Sequence, residues 1–597
     1  MDNGHYLRFL RPYLYQMPSP RASVYARFFS VSYRDPVRCK GSHGPGQVHS
    51  ASRSRCVHSS APERPATATA NSDSPAPDAV SPTPRRLTVN SRVQKLKEYN
   101  ALRYPRLGPR PNRMSVPSFR ERYQDVTNAS EEVVLEGRVM SVRRAGSKLV
   151  FLNLMGGYQQ VQVMICLSHF SDPKPEPEQF KDAVRPLLRG DIISVKGTAT
   201  RTHAGELTLK AHELPTLLSP GLAPLPHKLI NQETMVLNKH LDLLANRRTS
   251  DIFRLRSSII KSMRDFFHEK DFLEVQTPVL ADYAGGAAAR PFLTFATEFA
   301  QKELAMRIAP ELWLKRLIVG GNDKVFEIGQ CFRNEGIDTT HNPEFTMCEF
   351  YSAYSNLDDL ISMTEDLITR LVNHVEHLAQ NQLKFLENSK IQLPEKKWKQ
   401  IEFIPTLEDI LRIKIPNLSE ADALPKLIEI LGDRIDFAQG SSLTLVELLD
   451  ELAGKYLEPL SRDEPVFITY HPACMAPLSK SFVCPKTGQL VSARAELFIK
   501  DREMANMYEE ENDPFEQQRK FELQLETQKA MSPESEDHGE VDKSYVQALQ
   551  HGLPPTGGWG CGVDRLVMLL SGAPRIGDVL SFGTLRNVVS IRQAAKD

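Results

Sequence analysis

The run Val325-Phe-Glu-Ile-Gly-Gln-Cys-Phe-Arg-Asn-Glu-Gly-Ile-Asp-Thr-Thr-His-Asn-Pro-Glu-Phe-Thr-Met-Cys-Glu-Phe-Tyr351 constrains the fold more than any other stretch of the chain. It reads as strand, polar loop, strand. Arg333 and Glu335 stand two apart, as do Glu349 and Tyr351. Side chains alternate along a strand, so each pair is expected on one face of its strand. An Arg, a Glu, a His and an aromatic around one loop supply phosphate contact, base-edge contact and a stacking surface. A salt-bridged hairpin accounts for the same spacing equally well.

Two further clusters add chemistry. Gly557-Gly-Trp-Gly-Cys-Gly-Val-Asp-Arg565 reads as a glycine-rich turn leading into a helix over Asp564–Leu570. Glycines admit close backbone approach to a ligand, and an Arg there can grip phosphate bidentately. The spacing fits neither a P-loop nor a dinucleotide fingerprint. In Glu496-Leu-Phe-Ile-Lys-Asp-Arg-Glu503, a hairpin turn centred on Ile499 and Lys500 places Glu496 opposite Glu503. Facing carboxylates repel unless a cation lies between them, and nucleotide-borne Mg²⁺ suits one or two carboxylates plus phosphate oxygens. Asn506, Tyr508 and Glu510 alternate on one face. Glu503 falls on the other by strict alternation, so a bulge or an edge-wrapping pocket is required. A solvated acidic face is the plainer reading of Glu509, Glu510 and Glu511.

The chain has 597 residues, enough for several domains. No run approaches the ~18 apolar residues of a membrane span. Its eight cysteines form no CxxC pair, so neither a zinc ribbon nor a disulfide framework is signalled. Charge is segregated. Residues 1–60 hold nine Lys/Arg against Asp2 and Asp35, and 81–213 hold 22 basic to 13 acidic residues. Residues 214–597 hold 42 basic to 56 acidic, so the net charge of zero is a sum of opposites. Residues 1–60, rich in Arg, Ser and aromatics, read as a mitochondrial transit region, and a basic RNA-binding tail is the alternative. Residues 61–90 read as a Pro/Ala/Ser/Thr linker, and 91–131 as a basic helix and extended arm. Five short strand candidates in 132–215 (Val133–Val142, Leu149–Met155, Gln160–Ile165, Ile192–Thr200 and Glu206–Ala211), with a helical stretch near Phe180–Leu188, suit an OB-type barrel. Any small β-barrel shares that spacing. A linker is expected at 216–250 and a mixed α+β body at 251–597. That body opens with a helix at Ile252–Lys270 and carries a mainly helical region at 356–460.

Taken together, the three clusters resemble motifs 2 and 3 and the intervening metal strands of class II aminoacyl-tRNA synthetases. The helix followed by Asp271-Phe-Leu-Glu-Val-Gln-Thr-Pro278 is similar to motif 1, a dimer-interface element of that family. Within the class, Gly285-Gly-Ala-Ala-Ala-Arg-Pro-Phe292, Arg307-Ile-Ala-Pro-Glu-Leu-Trp-Leu-Lys-Arg316, His341-Asn-Pro-Glu-Phe-Thr-Met347 and Tyr545-Val-Gln-Ala-Leu-Gln-His-Gly-Leu-Pro-Pro555 resemble the lysyl-tRNA synthetases. The resemblance runs from about residue 91 to the end. It implies an α+β protein, an N-terminal OB-fold β-barrel followed by a class II synthetase catalytic domain whose antiparallel sheet is flanked by helices. It implies lysine attachment to tRNA-Lys through a lysyl-adenylate, by a homodimer without membrane insertion, and its long leader implies the mitochondrial matrix.

The same resemblance implies roles. Arg333 and Arg565 are the catalytic cations on ATP: Arg333 holds the α-phosphate, and Arg565 with His341 reaches the β- and γ-phosphates. Glu335 reads the adenine amino group and Phe345 stacks on the base. Glu496 and Glu503 carry Mg²⁺. The backbone at Gly286 and Glu311 meet the lysine α-ammonium, and Arg333 and Asn506 meet its carboxylate. Glu349, Tyr351, Tyr508 and Glu510 surround the ε-ammonium, and a neutral competitor would be disfavoured because it leaves Glu510 unpaired in a closed site. Phe151, Gln162 and Glu206 fall where the family reads the central anticodon base, with Arg138, Arg143, Arg144 and Lys148 on phosphates.

Departures from the family pattern lie at Leu154-Met155-Gly156-Gly157, at Ser581-Phe-Gly-Thr-Leu-Arg586 and between Phe292 and Arg307. Three rivals remain: an aspartyl- or asparaginyl-tRNA synthetase, a lysine ligase acting on protein, and a non-enzymatic RNA-binding paralogue. The glutamates argue against the first, the barrel against the second, and the retained Arg333, Arg565, Glu496 and Glu503 against the third.

Overall fold

The computed structural model describes residues 88–594 except 288, 300, 387–390, 396, 433–442 and 532–541. The transit region expected at 1–60, and the linker expected at 61–90 up to residue 87, lie outside the described residues.

Helix α1 (Val89–Glu98) begins inside the expected linker because Thr88 and Ser91 cap it reciprocally. The Ser91 N–H donates to Thr88 Oγ1 at 3.2 Å and the Thr88 N–H to Ser91 Oγ at 3.1 Å. Arg92, with no solvent exposure, ties this helix to the barrel. Its guanidinium meets both Asp191 oxygens at 2.9 Å and donates to the Pro186 carbonyl at 2.6 Å. Asp191 also accepts from the Gly221 N–H at 2.8 Å, so arm, barrel and the chain leaving the barrel meet at one ion pair.

The barrel comprises β1 (Asn128–Arg144), β2 (Leu149–Gly156), β3 (Gln159–Cys166), β4 (Ile192–Arg201) and β5 (Leu207–Ala211), with α2 (Pro177–Val184) between β3 and β4. The strand order β1-β2-β3-β5-β4 closes through pairing of β4 with β1, which removes both sheet edges. Val150, Leu152, Leu154, Val161, Val163 and Ile165 alternate into its core. The segment expected as a plain linker at 216–250 is structured: Thr216–Ser219 pairs with β4, and helices follow at Gln232–Leu237 and Lys239–Ala245.

Helix α3 (Arg247–Glu269) starts five residues before the expected Ile252 and stops where Asp271 takes φ 63°. An eight-stranded sheet follows, from β6 (Leu273–Glu274), β7 (Lys324–Phe332), β8 (Glu344–Ala353), β9 (Lys399–Glu402), β10 (Val466–Thr469), β11 (Arg494–Phe498), β12 (Glu503–Glu509) and β13 (Thr556–Gly562). Its order is β9-β10-β11-β12-β13-β8-β7-β6, antiparallel except at the two ends. One face buries Phe350, Trp559, Leu497 and Met507 against α3 and the long helix at Leu357–Asn381. Phe350 stacks on Trp559 with centroids 5.1 Å apart, and Phe267 of α3 packs edgewise on the Trp559 ring. The opposite face carries the polar residues and is bounded by α4 (Glu311–Val319) and α5 (Lys543–Leu549), while α6 (Val563–Ser571) packs on the core face against α3. Region 356–460 is mainly helical, yet its strand β9 joins the sheet at one edge.

Candidate active site

The glycine-rich segment is no turn but the central strand β13. Its core face carries Trp559 and Cys561, while Gly558, Gly560 and Gly562 leave the other face bare. Gly560 pairs with Glu349 on β8 and Asn506 on β12, and Gly558 with Tyr351 and Tyr508. A Cβ at Gly558 would collide with the Glu510 carboxylate and the Tyr351 ring. Glycine here makes room for functional side chains from both neighbours, and flanking pairing outweighs its poor strand propensity.

Glu349 and Tyr351 share a face, as their spacing predicts, and Tyr351 Oη donates to Glu349 Oε2 at 3.2 Å. Arg333 and Glu335 do not lie on a strand. β7 ends at Phe332, the Arg333 N–H takes the Pro343 carbonyl, and the Asn334 N–H turns to Arg290, so both side chains stand on the loop with His341. The Arg333 guanidinium lies 5.1 Å from the Phe345 ring centroid. A cavity of about 2640 Å³ is walled by Gly286, Glu311, Arg333, Glu335, His341, Phe345, Glu349, Tyr351, Glu503, Asn506, Tyr508 and Arg565 among others.

Glu496 does not face Glu503. The tight turn is Lys500–Asp501, both at positive φ, and it pairs Phe498 with Glu503 and Glu496 with Asn506. A bulge between those pairs carries the extra residue, which returns Glu503 to the face of Asn506 and Tyr508 as the alternation argument required. Burial lifts the Glu496 carboxyl, but Arg494 and His471 outweigh it and hold it at about 2. His471 Nε2 stands 3.1 Å from Glu496 Oε2, and Arg494 pairs with Oε1. Burial and the Glu496 charge push Glu503 upward against Arg565, which donates to its Oε2 at 3.0 Å. The other arm of Arg565 meets His341 Nε2 at 2.8 Å, and His341 Nδ1 meets Asp338 at 2.7 Å. Two mutually repelling carboxylates on one face, Glu496 half-buried and Glu503 more exposed, fit a divalent cation completed by phosphate oxygens.

At the other end, Gly286 takes φ +92° and lies so close to Glu311 that a side chain would press on the Glu311 Cβ at 3.0 Å. Tyr508 Oη lies 3.0 Å from both Glu311 oxygens. Burial, then the Glu311 charge, pushes the Glu349 carboxyl up to about 8. Glu510 is not unpaired: its carboxylate forms an ion pair with Lys315, one turn after Glu311 on α4. Lys315, Arg494 and His471 went unread in the sequence. Lys315 sits in the apolar-rich Glu-Leu-Trp-Leu-Lys-Arg run at helical spacing four from Glu311, which was the available signal.

In the barrel, Phe151 alternates outward from the buried Val150 and Leu152, so it is no core residue, and the Arg143 guanidinium lies 4.6 Å from its ring centroid. Gln162 also points outward; it donates to Glu206 Oε2 at 2.8 Å and accepts from Thr208 Oγ1 at 3.0 Å. Arg138 and Arg144 are spent on the fold, Arg138 on the Gly190 carbonyl and Arg144 on carbonyls at the end of α2. That leaves Arg143 and Lys148 of the four expected phosphate contacts.

A closed barrel with an outward aromatic, beside a sheet whose bare strand lies between carboxylates and arginines, defines a nucleic-acid-reading module joined to a nucleotide-using catalytic body. The family model of tRNA synthetases class II (D, K and N) matches residues 231–586, and that of the OB-fold nucleic acid binding domain matches 133–217. The mitochondrial lysine–tRNA ligase of Schizosaccharomyces pombe is 37% identical over 506 residues, 84% of this chain and 93% of the relative. A lysine–tRNA ligase of Cladosporium cladosporioides is 37% identical over 518 residues, 83% of this chain and 84% of its own. One from Listeria innocua is 38% identical over 467 residues, 78% and 89% respectively. The chain belongs to the class II tRNA synthetases, in the family of these lysine–tRNA ligases.

Proposed function

We propose that this chain attaches lysine to tRNA-Lys for mitochondrial translation. L-lysine and ATP form lysyl-adenylate and diphosphate, and the lysyl group then passes to the terminal ribose hydroxyl of tRNA. The observation that carries the amino-acid assignment is the charge of the pocket: Glu311, Glu349 and Glu510, all buried, surround the single ammonium of Lys315. Such a floor favours a cationic side chain, whereas an aspartate pocket would need the opposite balance.

Lysine would lie with its α-ammonium at Glu311 and the Gly286 backbone and its carboxylate between Arg333 and Asn506. Its ε-ammonium would lie among Glu349, Tyr351, Tyr508 and Glu510. The carboxylate attacks the α-phosphorus in line, so no protein nucleophile is needed and catalysis rests on positioning and charge neutralisation. Arg333 holds the α-phosphate, Phe345 and Glu335 fix the adenine, and Arg565 with His341 takes the outer phosphates. Glu496 and Glu503 would hold Mg²⁺, which supplies further charge neutralisation on ATP. Phe151, Gln162 and Glu206 read the anticodon by stacking and edge hydrogen bonds.

Assembly as a homodimer is supported by exposed apolar side chains on the edge strand β6 and in the small separate sheet and loop that follow it in the chain: Leu273, Leu280, Phe295 and Phe299. Among the described residues no helix is long and apolar enough to cross a membrane. The acid-poor, Arg-rich first 60 residues and the mitochondrial relative support the matrix. ATP–diphosphate exchange with each amino acid tests the assignment. Exchange with lysine is expected, and exchange with aspartate but not lysine would overturn it.

A further inference from the structure

Lys315 is a lysine inside what reads as a lysine pocket. Its side chain has no solvent exposure. Its Nζ lies 2.5 Å from Glu311 Oε1 and also pairs with Glu510 Oε2. The rings of Tyr351, Tyr508 and Tyr545 surround it with centroids 5.8, 5.8 and 6.0 Å away. The cavity is walled by Glu311, Glu349, Tyr351 and Tyr508, but neither Lys315 nor Glu510 lines it. Lys315 therefore lies beneath the floor.

A charge in such a place is costly, and well-packed apolar groups usually replace a buried ion pair without loss of stability. Nothing in the packing calls for an ammonium. The carboxylates above it do. Lys315 joins Glu311, at the α-ammonium end of the pocket, to Glu510, at the ε-ammonium end. Oε2 of Glu510 is taken by the Lys315 ammonium, while Glu510 Oε1 and the buried Tyr545 hydroxyl have no hydrogen-bond partner among the described residues. We propose that Lys315 is a positioning residue for lysine recognition, a built-in counter-ion that holds Glu311 at the cavity wall and Glu510 just behind it in place for the incoming substrate. This rests on the lysine reading of the pocket.

The groups facing Glu510 are Glu311 and Lys315 from α4, Glu349 and Tyr351 from β8, Tyr508 from β12 and Tyr545 from α5. Lys315 is the one cation among them. Burial pushes the Glu510 carboxyl well up, Lys315 opposes this, and Glu311 adds to it. Burial alone would depress Lys315, but Glu311 and Glu510 hold it above the usual lysine range. Removing the ammonium takes away the group that opposes this rise, so Glu510 holds its proton more tightly than in the intact pocket. Lysine binding should then weaken at neutral pH and recover as pH rises.

The test is steady-state ATP–diphosphate exchange by full-length Lys315→Met, Lys315→Gln, Lys315→Arg and Glu510→Gln between pH 7 and 9. Lys315→Gln keeps a polar donor should the Met variant fail to fold. Expected for the Met or Gln variant are a lysine KM raised roughly tenfold or more at pH 7, an ATP KM unchanged, and a deficit that shrinks towards pH 9. Lys315→Arg, which keeps the charge, should recover part of the loss. A folded Gln variant with wild-type lysine KM and a wild-type pH profile overturns the proposal, as does an equal loss at both pH values. Glu510→Gln separates the two readings. If it leaves lysine KM unchanged, the pocket assignment fails; if it raises KM while Lys315→Gln does not, only the role of Lys315 fails.

Discussion

In the barrel, Phe151 and Gln162 alternate outward from Val150, Leu152 and Val163, whereas in the catalytic sheet Glu349 and Tyr351 alternate inward from Phe350 onto a buried floor. Both sheets use the same period of two, yet the electrostatics diverge. Barrel cations such as Lys148 stand in water, where salt screens them. The carboxylates of the catalytic floor are almost fully buried, so each needs a counter-ion or a proton. Recognition in the first region is therefore graded and salt-sensitive, and in the second it depends on which single charge is present.

The largest expected effect concerns the join between these regions. Arg92→Ala leaves Asp191 buried without its cation, which should destabilise the barrel and its arm by about 3–5 kcal/mol. Thermal melts followed by tRNA charging check this, and lysine activation should survive better than charging. Next, Arg333→Ala should lower kcat for lysyl-adenylate formation about 10²–10³-fold, read by diphosphate exchange. Phe151→Ala should cost about 1–3 kcal/mol in tRNA recognition, seen as a lower kcat/KM for tRNA with exchange unaltered. If exchange falls as well, the division between graded barrel and all-or-none floor breaks down.

The smallest effect is a proton count. Burial and the Glu311 charge raise Glu349 from the ordinary 4.5 to about 8 in the free pocket. The folded protein therefore holds a proton there that the unfolded chain has lost, and this contribution to stability falls as pH rises from 4.5 through 8. Glu349→Gln should flatten that slope in melting experiments. A cationic side chain entering the pocket favours the ionised carboxylate, so lysine binding near pH 7 should release up to about one proton. Calorimetry in buffers of different ionisation enthalpy measures this, and the release should shrink with Glu349→Gln.

Much of the site was legible because its motifs are local. The Val325–Tyr351 hairpin, the alternation along β8 and the need for a bulge before Asn506 all follow from strand periodicity, and the barrel strands follow from alternating apolar residues. What was misread depended on partners distant in sequence. Gly557–Gly562 resembles a turn until Glu349, Tyr351, Asn506 and Tyr508 are seen to occupy the space its missing side chains leave. Arg138 and Arg144 resemble phosphate ligands until carbonyls at Gly190 and the end of α2 claim them.

The sequence alone determined which chemical groups this protein brings to its reaction, because residue types at short spacing report local geometry. Only the tertiary structure decided the charge state of the floor. Glu510 pairs with Lys315 because helix α4 packs on β7 and β8 and so brings Lys315 to the carboxylate that follows β12, and no spacing in the chain reveals that approach. In a buried site, a carboxylate's behaviour is set by the nearest opposite charge, and that neighbour arrives through space.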